Sequence, residues 1–266
     1  MFKKRMAAVS LSLVGVVGAN VAQAADSAVG SWLWSTADEL SVISLMADGR
    51  YMDAGVYYSS PGVLDTAHTQ IEWGTYTWNA TTGAINATSV GDLNGNWGLA
   101  GDVDGIQYLT VSGNTGTLFQ PGCCSGTLTR ILPSPSSAIV GTWTDGAYGV
   151  NTFLADGRYI AAQVVPGDAG HTGIEWGTYS WDSASGKISA TALGDLNGDW
   201  GVAGDVDGPQ YVTISGNVAT VFQPGCADCG GIQTRILPVP EPEGYAMYLA
   251  GLGLLGVMIG RRKARL

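Results

Sequence analysis

The sequence predicts an all-β protein built from two tandem copies of one antiparallel domain. Composition is the first reason: 40 of the 266 residues are glycine and 13% are charged, and glycine weakens helix interiors. Turn-forming dipeptides are the second, because Trp, Tyr, Val, Ile and Thr fill the stretches between them, as β-strands require. An internal repeat is the third.

The repeat covers most of the chain. The segment 69–78 returns at 172–181, and 91–105 returns with two changes at 194–208. A unit of about a hundred residues suits an independent domain better than a solenoid repeat. We therefore expect one β-domain over 25–133, a linker over 134–138 and a second β-domain over 139–238.

Within the second copy, short apolar stretches predict about eight strands. Asp156-Gly157 separates two of them, which is a strong hairpin signal. The predicted strands are 139–144, 151–155, 158–165, 174–181, 186–192, 210–215, 218–223 and 231–237. An antiparallel meander that closes as an up-and-down barrel is expected, with an open β-sandwich as the alternative.

Each copy opens with Gly-x-Trp and ends with an arginine on its last strand. The pairs are Trp32 with Arg130 and Trp143 with Arg235. This arrangement resembles the lipocalins and other calycin barrels, and the resemblance implies that the arginine packs on the tryptophan near the closed end of the barrel. Such a cation–π contact contributes about 1 kcal/mol or more when it is desolvated.

The first 24 residues predict a signal peptide. Lys3, Lys4 and Arg5 precede an apolar run over 6–19, and Ala22-Gln23-Ala24 forms a small-x-small cleavage site. A membrane anchor is the alternative, but the apolar run is short for a span. Export with a mature chain beginning at Ala25 is the expectation.

The last 28 residues predict a short membrane-spanning helix. Val239-Pro240-Glu241-Pro242 interrupts regular structure, and an uncharged apolar stretch over 245–260 precedes a basic end that contains Arg261, Arg262 and Lys263. As a helix, this stretch would reach ~24 Å, against ~30 Å of hydrocarbon. The basic residues should stay on the cytoplasmic side of the inner membrane.

These three parts in order resemble the PEP-CTERM sorting signal of Gram-negative bacteria. The resemblance implies processing by an exosortase, an inner-membrane enzyme, near Pro-Glu-Pro. It also implies a location at the cell surface or in the extracellular matrix, in association with exopolysaccharide or biofilm. The membrane would hold the chain at least transiently through the C-terminal helix.

Charge narrows the partners further. Between residues 25 and 238 there are five basic residues against twenty carboxylates. Nucleic acid is not an expected partner, because phosphate binding needs a basic face. Cations and neutral polymers suit the acidic body better.

The two histidines occupy equivalent positions, four residues before a glutamate in each copy. His68 with Glu72 and His171 with Glu175 would share a strand face and could bind metal or exchange protons. The structural alternative places each histidine on a loop and pairs each glutamate with an arginine, Glu72 with Arg50 or Arg130 and Glu175 with Arg158 or Arg235. The structural alternative is favoured, since a zinc site needs further ligands.

An Asp- and Asn-rich segment in each copy is a candidate calcium site. Oxygen-bearing side chains at alternate positions resemble the start of EF-hand-type loops, although Trp97 and Trp200 stand where such loops use glycine. Simple turns are the alternative. The candidate ligands are Asp92, Asn94, Asn96, Asp102 and Asp104, then Asp195, Asn197, Asp199, Asp205 and Asp207.

The four cysteines predict loop disulfides in an exported chain. Cys226 with Cys229 is a plausible local bridge, whereas Cys123 with Cys124 would close a strained ring, so bridges between the two domains stay open. A zinc site is the less favoured alternative. Trp97 and Trp200, in the acidic segments, are candidates for sugar contact; the other tryptophans are expected in the cores.

Three functions are consistent with these features. The first is a non-catalytic exported surface or matrix protein. The second is a small-ligand-binding calycin-like barrel, which needs a deep cavity lined by one face of the strands. The third is a secreted hydrolase, for which the sequence offers no serine elbow or metal signature.

Overall fold

The computed structural model describes residues 27–238, apart from 94, 96–97, 101–104, 147–148, 199–200 and 204–207, and apart from the side chains of 227–229. Strands, turns and bends make up the described residues, which contain no helix. The all-β antiparallel prediction is confirmed. The expected helices at both ends of the chain lie outside the described residues.

The first copy forms a closed barrel, barrel 1. Its strands are β1 Gly30–Ser35, β2 Glu39–Leu45, β3 Arg50–Ser60, β4 Val63–Leu64, β5 Gln70–Trp78, β6 Ala84–Asp92, β7 Gln107–Ser112, β8 Thr115–Gln120 and β9 Cys124–Arg130. Each long strand pairs antiparallel with its neighbours in the chain, and β9 returns to pair with β1. The two-residue β4 pairs only with β3 and does not form part of the barrel wall. The open sandwich is therefore the wrong alternative for this copy.

The second copy forms a curved antiparallel sheet of eight strands, a half-barrel that we call barrel 2. The strands are β10 Gly141–Thr144, β11 Gly149–Phe153, β12 Arg158–Gln163, β13 Gly173–Trp181, β14 Ile188–Asp195, β15 Tyr211–Ser215, β16 Val218–Gln223 and β17 Cys226–Arg235. A ladder joins β10 to β17, and β14 and β15 lie at the edges of the sheet. At the remaining seam, between β14 and β15, there is a single bridge between Lys187 and Tyr211 instead of a ladder. Backbone hydrogen bonds of 2.7 Å from Val212 N to Gly186 O and 3.1 Å from Ile188 N to Gln210 O flank that bridge.

The same Asp-Gly turn joins β2 to β3 in barrel 1 and β11 to β12 in barrel 2. Gly49 and Gly157 have φ of 84° and 86°, a conformation that glycine adopts without steric cost. Asp156 accepts a hydrogen bond from the backbone N–H of Arg158 at 3.1 Å. The hairpin predicted at 156–157 is therefore confirmed.

The two barrels share an apolar core. The outward faces of β2, β3 and β5 pack against those of β11, β12 and β13. Equivalent residues from both copies meet in this core: Val42 and Val150, Met46 and Leu154, Met52 and Ile160, Ala54 and Ala162, Ile71 and Ile174, and Ile131 and Ile236. An interface built from the same positions on both sides has the self-complementary pattern of a two-fold dimer, here within one chain.

Each barrel also has an interior core of its own, closed at one end by tryptophan and arginine. The guanidinium carbon of Arg130 lies 4.0 Å from the centre of the Trp32 ring, and that of Arg235 lies 4.0 Å from the Trp143 ring. Trp32 Nε1 donates to Ala28 O at 2.8 Å, and Arg130 Nη1 donates to Val29 O at 2.7 Å. This network satisfies the buried polar groups of both side chains with backbone carbonyls, so the ring and the guanidinium can be buried together.

Candidate functional site

The interior of barrel 1 changes from apolar to polar along its axis. Successive residues of a strand point to opposite faces, so Ile43 and Leu45 of β2 lie in the interior core while Ser41 and Glu39 continue the same face toward the other end. Polar side chains therefore line the end of the barrel opposite Trp32 and Arg130.

A cavity of about 470 Å³ occupies this end. Strand β3, the ends of β8 and β9, and the loop between β6 and β7 complete its wall. The lining residues are Trp34, Glu39, Ser41, Ile43, Asp53, Tyr57, Gly98, Gln107, Leu118, Phe119, Gln120, Cys123, Cys124 and Ser125. This volume lies within the range of pockets that hold small organic ligands.

Two carboxyl groups in the wall have strongly raised pKa values. Asp53 is 4% exposed, and Ser41 Oγ donates to its Oδ1 at 2.9 Å. Burial, helped by the charges of Glu72 and Glu39, raises the pKa of Asp53 to about 7. Burial also raises the pKa of Glu39 to about 7, against the opposing effect of a hydrogen bond with Tyr57. Perturbed titratable groups that line a cleft are a mark of functional sites.

A third carboxylate, Glu72, lies behind the cavity wall and fixes part of it. It is fully buried, and its Oε1 accepts hydrogen bonds from the Tyr51 hydroxyl and, at 2.9 Å, from the backbone N–H of Ala100. Burial raises the pKa of this carboxyl group. A Cβ atom built on Gly98 would lie 2.7 Å from Glu72 Oε2, so glycine is needed where the loop passes over the carboxylate.

Barrel 2 repeats this arrangement. Glu175 is fully buried, and its Oε1 accepts from Tyr159 Oη at 2.7 Å, from Val202 N at 2.8 Å and from Ala203 N at 3.0 Å. In both copies, then, an interior glutamate holds the loop that follows the sixth or fourteenth strand against the barrel. Hydrogen bonds to Glu72 and Glu175 therefore help to position the Asp-rich segment in each copy.

Several polar atoms of the cavity wall have no hydrogen-bond partner. They are Trp34 Nε1, Gln107 Oε1 and Gln120 Nε2, and the two glutamines are only 7% and 3% exposed. A buried polar group without a partner costs roughly 1–3 kcal/mol. These buried atoms belong to residues of the cavity wall, and Gln223, the counterpart of Gln120 in barrel 2, is unpartnered in the same way.

The mouth of the cavity is apolar on one side. Phe119 is 45% exposed there, and Cys123 and Cys124 are joined by a disulfide between adjacent residues. This is the bridge that was expected to be strained because the two cysteines are adjacent. Cys226 is also disulfide-bonded, and the side chain of Cys229 lies outside the described residues.

The histidines lie on turns that precede β5 and β13. His68 Nδ1 is 2.7 Å from Asp65 Oδ2, and His171 Nδ1 is 2.7 Å from Asp168 Oδ2. Neither Glu72 nor Glu175 takes an arginine partner as expected: Arg50 forms an ion pair with Asp48, and Arg158 with Asp156. Tyrosine and backbone donors take that place, because each glutamate points into a barrel while Arg50 and Arg158 face solvent.

Most of the candidate calcium ligands lie outside the described residues. Asp92 and Asp195 are exposed at the ends of β6 and β14, whereas Asn197 is fully buried with both amide atoms unpartnered. Among the residues that the structure describes, no three His, Cys, Asp or Glu side chains are grouped as a metal site would require. The sorting residues Val239 to Pro242 and Arg261 to Lys263, and Trp97 and Trp200, are also outside the description.

Asp53, Ser41 and Tyr57 were missed by the sequence argument. One signal could have found them, namely the differences between the copies. At the equivalent positions barrel 2 has Ala161, Gly149 and Val165. A buried-strand aspartate that its sister copy replaces by alanine is unusual, because an unpaired carboxylate is costly in a core.

Comparisons with known proteins identify no relative. No protein family matches the chain, and no curated protein does. Among solved structures, the DNA polymerase III beta subunit of Thermotoga maritima is 9% identical with a TM-score of 0.13, and 80% of this chain covers 57% of that one. The Helicobacter pylori beta clamp bound to a DNA ligase peptide is 8% identical with a TM-score of 0.12, at 80% and 59% coverage. The chain thus spans less than two thirds of either structure, and neither likeness carries an argument about fold or function.

In the part of the chain that the structure describes, no helix long and apolar enough for a span occurs.

Proposed function

We propose that this chain is an exported, non-catalytic binding protein whose first barrel holds a small ligand. The observation that carries the proposal is the cavity of about 470 Å³ at the polar end of barrel 1, whose wall includes buried polar side chains without hydrogen-bond partners. A core that only had to be stable would fill this space with apolar side chains, because cavities and unsatisfied polar atoms both cost stability.

The resemblance of the sequence to calycin barrels supports the same function. The tryptophan–arginine contacts lie at one end of each barrel, and the cavity lies at the other end of barrel 1. A barrel of eight strands has an interior just large enough for a packed core or for one small ligand. Here the closed half is packed and the open half is not.

The location of this binding protein rests on the two ends of the chain. A signal peptide over 1–24 and a PEP-CTERM-like tail over 239–266 support export, exosortase processing, and retention at the cell surface or in an exopolysaccharide matrix. Mass spectrometry of the protein from surface and medium fractions tests this. Retention of Leu266 at the mature C-terminus, or recovery from the cytosol, would contradict it.

A fragment panel screened by ligand-observed NMR tests the binding function on the full chain. The panel contains neutral, cationic and anionic compounds in equal numbers, and each hit is repeated on two variants. Leu118→Trp fills the cavity from its wall, and Val221→Trp makes the same change at the equivalent position of barrel 2.

The expected result is a set of fragments that bind the unchanged protein and Val221→Trp but not Leu118→Trp. Circular dichroism of the variants separates loss of the cavity from loss of the fold. If no fragment loses binding on Leu118→Trp while that variant stays folded, the cavity is not a ligand site. Chemical turnover of a bound fragment would contradict the non-catalytic part of the proposal.

A further inference from the structure

We propose that the ligand of the barrel 1 cavity is a small organic cation, an amine or ammonium compound with an apolar body. This rests on the proposed function and adds the chemical class of the ligand. It follows from the charge of the wall, from its aromatic residues, and from the arrangement of polar and apolar sides around the cavity.

The charged residues of the described cavity wall are all acidic. Glu39 and Asp53 line the cavity, and Glu72 lies behind Gly98 close enough to act on Asp53. None of the described lining residues is a lysine, arginine or histidine. An anionic ligand would be repelled by the ionised carboxylates of the wall, whereas an ammonium group would supply the opposite charge that buried carboxylates need.

The groups that face Asp53 are all neutral or acidic. Ser41 on β2 donates to it, Glu72 on β5 is its register partner, and Glu39 on β2 and Tyr57 on β3 lie along the same wall. Its second carboxyl oxygen therefore has no cationic partner among these residues. A charge-assisted hydrogen bond from an ammonium N–H is about twice as strong as a neutral one.

Aromatic rings stand beside the carboxylates. Trp34 and Tyr57 line the cavity together with Asp53, and a cation over an indole or phenol face gains roughly 0.5–2 kcal/mol of attraction. A Cβ atom at Gly126 would lie 1.9 Å from Trp34 Cη2. Glycine at this point of β9 lets the indole lie flat along the barrel wall, which leaves space in the lumen.

The opposite side of the cavity suits an apolar body. Leu118 and the Cys123–Cys124 disulfide line this side, and these groups offer contact area without hydrogen bonds. A hydrated metal ion would gain nothing from this side. An amine that carries a hydrocarbon or aromatic group would place its charge at Asp53 and its body against Leu118, which shares the inward face of β8 with Gln120.

Binding of a cation must be linked to pH at this site. Asp53 and Glu39 both have a pKa of about 7, and a bound ammonium favours their charged forms. Affinity should therefore rise as the pH increases from 5 to 7, by about tenfold per pH unit for each proton released, and level off above pH 7. A neutral ligand that accepts a hydrogen bond from a protonated carboxyl group would show the opposite trend.

Calorimetric titration of the full chain tests the inference with matched probes. Butylamine, cyclohexylamine and phenethylamine are compared with the alcohols of the same skeletons, and phenylacetate serves as the anion. At pH 8 we expect at least one amine to bind tenfold or more tightly than its alcohol, and to lose affinity as the pH falls to 5.

Asp53→Asn separates charge from shape, since it keeps an acceptor for Ser41. Amine affinity should fall at least tenfold in this variant, with alcohol affinity unchanged. Asp182→Asn, at an exposed turn of barrel 2, should leave both unchanged.

Two failures are distinguishable. If alcohols or phenylacetate bind as tightly as amines, or if amine affinity survives in Asp53→Asn, the organic-cation inference is overturned while the ligand-binding function stands. If no amine, alcohol or anion binds in a manner that folded Leu118→Trp abolishes, and the fragment panel is also negative, the ligand-binding function falls with it.

Discussion

Barrel 1 and barrel 2 agree where the fold is held together and differ where a ligand would bind. Both close one end with an arginine over a tryptophan at 4.0 Å, and both bury a glutamate against a tyrosine hydroxyl and loop amides. At the open end, Asp53 and Tyr57 of barrel 1 correspond to Ala161 and Val165 of barrel 2. Because one chain carries both versions, barrel 2 serves as an internal control for the cavity of barrel 1.

Substitutions in the core shared by the two barrels should have the largest effect on stability, and they test whether the barrels unfold independently. Ile71→Ala and Ile174→Ala, each at a fully buried position, should lower the free energy of unfolding by about 2–5 kcal/mol. Since the core belongs to both barrels, amide hydrogen exchange should increase in both after either substitution. Val90→Ala, at a position 70% exposed, is the control. Two separate thermal transitions, with one unaffected, would show that the barrels are independent.

Asp53 should make the stability of barrel 1 fall as pH rises. Its pKa is about 7 in the folded protein, above its ordinary value of 3.8, so between these values the folded state holds more protons than the unfolded state. Raising the pH through this window therefore lowers the free energy of unfolding, by an amount on the order of 2–4 kcal/mol. Urea unfolding at pH 4.5 and pH 8 measures the difference.

Substitutions at the equivalent positions 53 and 161 test whether the carboxyl group causes this pH dependence. Asp53→Asn should remove the part of the pH slope that Asp53 contributes and stabilise the protein at pH 8, while Glu39, whose pKa is also raised to about 7, keeps its own contribution to the slope. Ala161→Asp places a carboxyl group opposite Glu175 in barrel 2 and should cost more stability at pH 8 than at pH 4.5. An unchanged slope in Asp53→Asn would mean that Asp53 does not titrate in this window.

The interior glutamates should affect the two barrels equally. Glu72→Ala leaves the Tyr51 hydroxyl and the Ala100 N–H without their acceptor, and Glu175→Ala does the same to Tyr159, Val202 and Ala203. Each substitution should cost about 2 kcal/mol and speed amide exchange in its own loop. The glutamine variants keep an oxygen acceptor and should lose less. Unchanged exchange at residues 98–100 in Glu72→Ala would contradict the role of this carboxylate.

The Cys123–Cys124 disulfide should have the smallest effect. A bridge between adjacent residues closes almost no chain, so it removes little entropy from the unfolded state. Replacing both cysteines by serine should change the free energy of unfolding by under about 1 kcal/mol in urea titrations. A larger loss would mean that the disulfide at the rim of the cavity stabilises the fold of barrel 1.

Much of the fold could be predicted because it depends on local chemistry. The Asp-Gly turns at 48–49 and 156–157 and the strand over 218–223 come from short-range preferences that the sequence displays directly. Strand β3 is different. Residues 51–57 are all buried, because one face of this strand lines barrel 1 and the other packs on barrel 2. Alternation of polar and apolar residues cannot reveal a strand that is buried on both faces.

The candidate site was beyond sequence reasoning for a related reason. Asp53, Gln107 and Gln120 lie on three different strands, and nothing local brings them together. The partner of Glu72 was also mispredicted, since an arginine was the expected counter-charge and the structure supplies Tyr51 and a backbone amide. Which groups meet inside a barrel depends on the register of every strand around it.

The sequence by itself determined the duplication, the strands and turns, and the tryptophan and arginine that pack at the end of each barrel. Local preference and repetition are enough for these, because each copy shows the same pattern twice. Only the tertiary structure decided that equivalent faces of the two barrels share one core and that one end of barrel 1 stays open. These features depend on packing between residues far apart in the chain, where a single change such as Asp53 to Ala161 alters the chemistry of the interior without altering the strand that carries it.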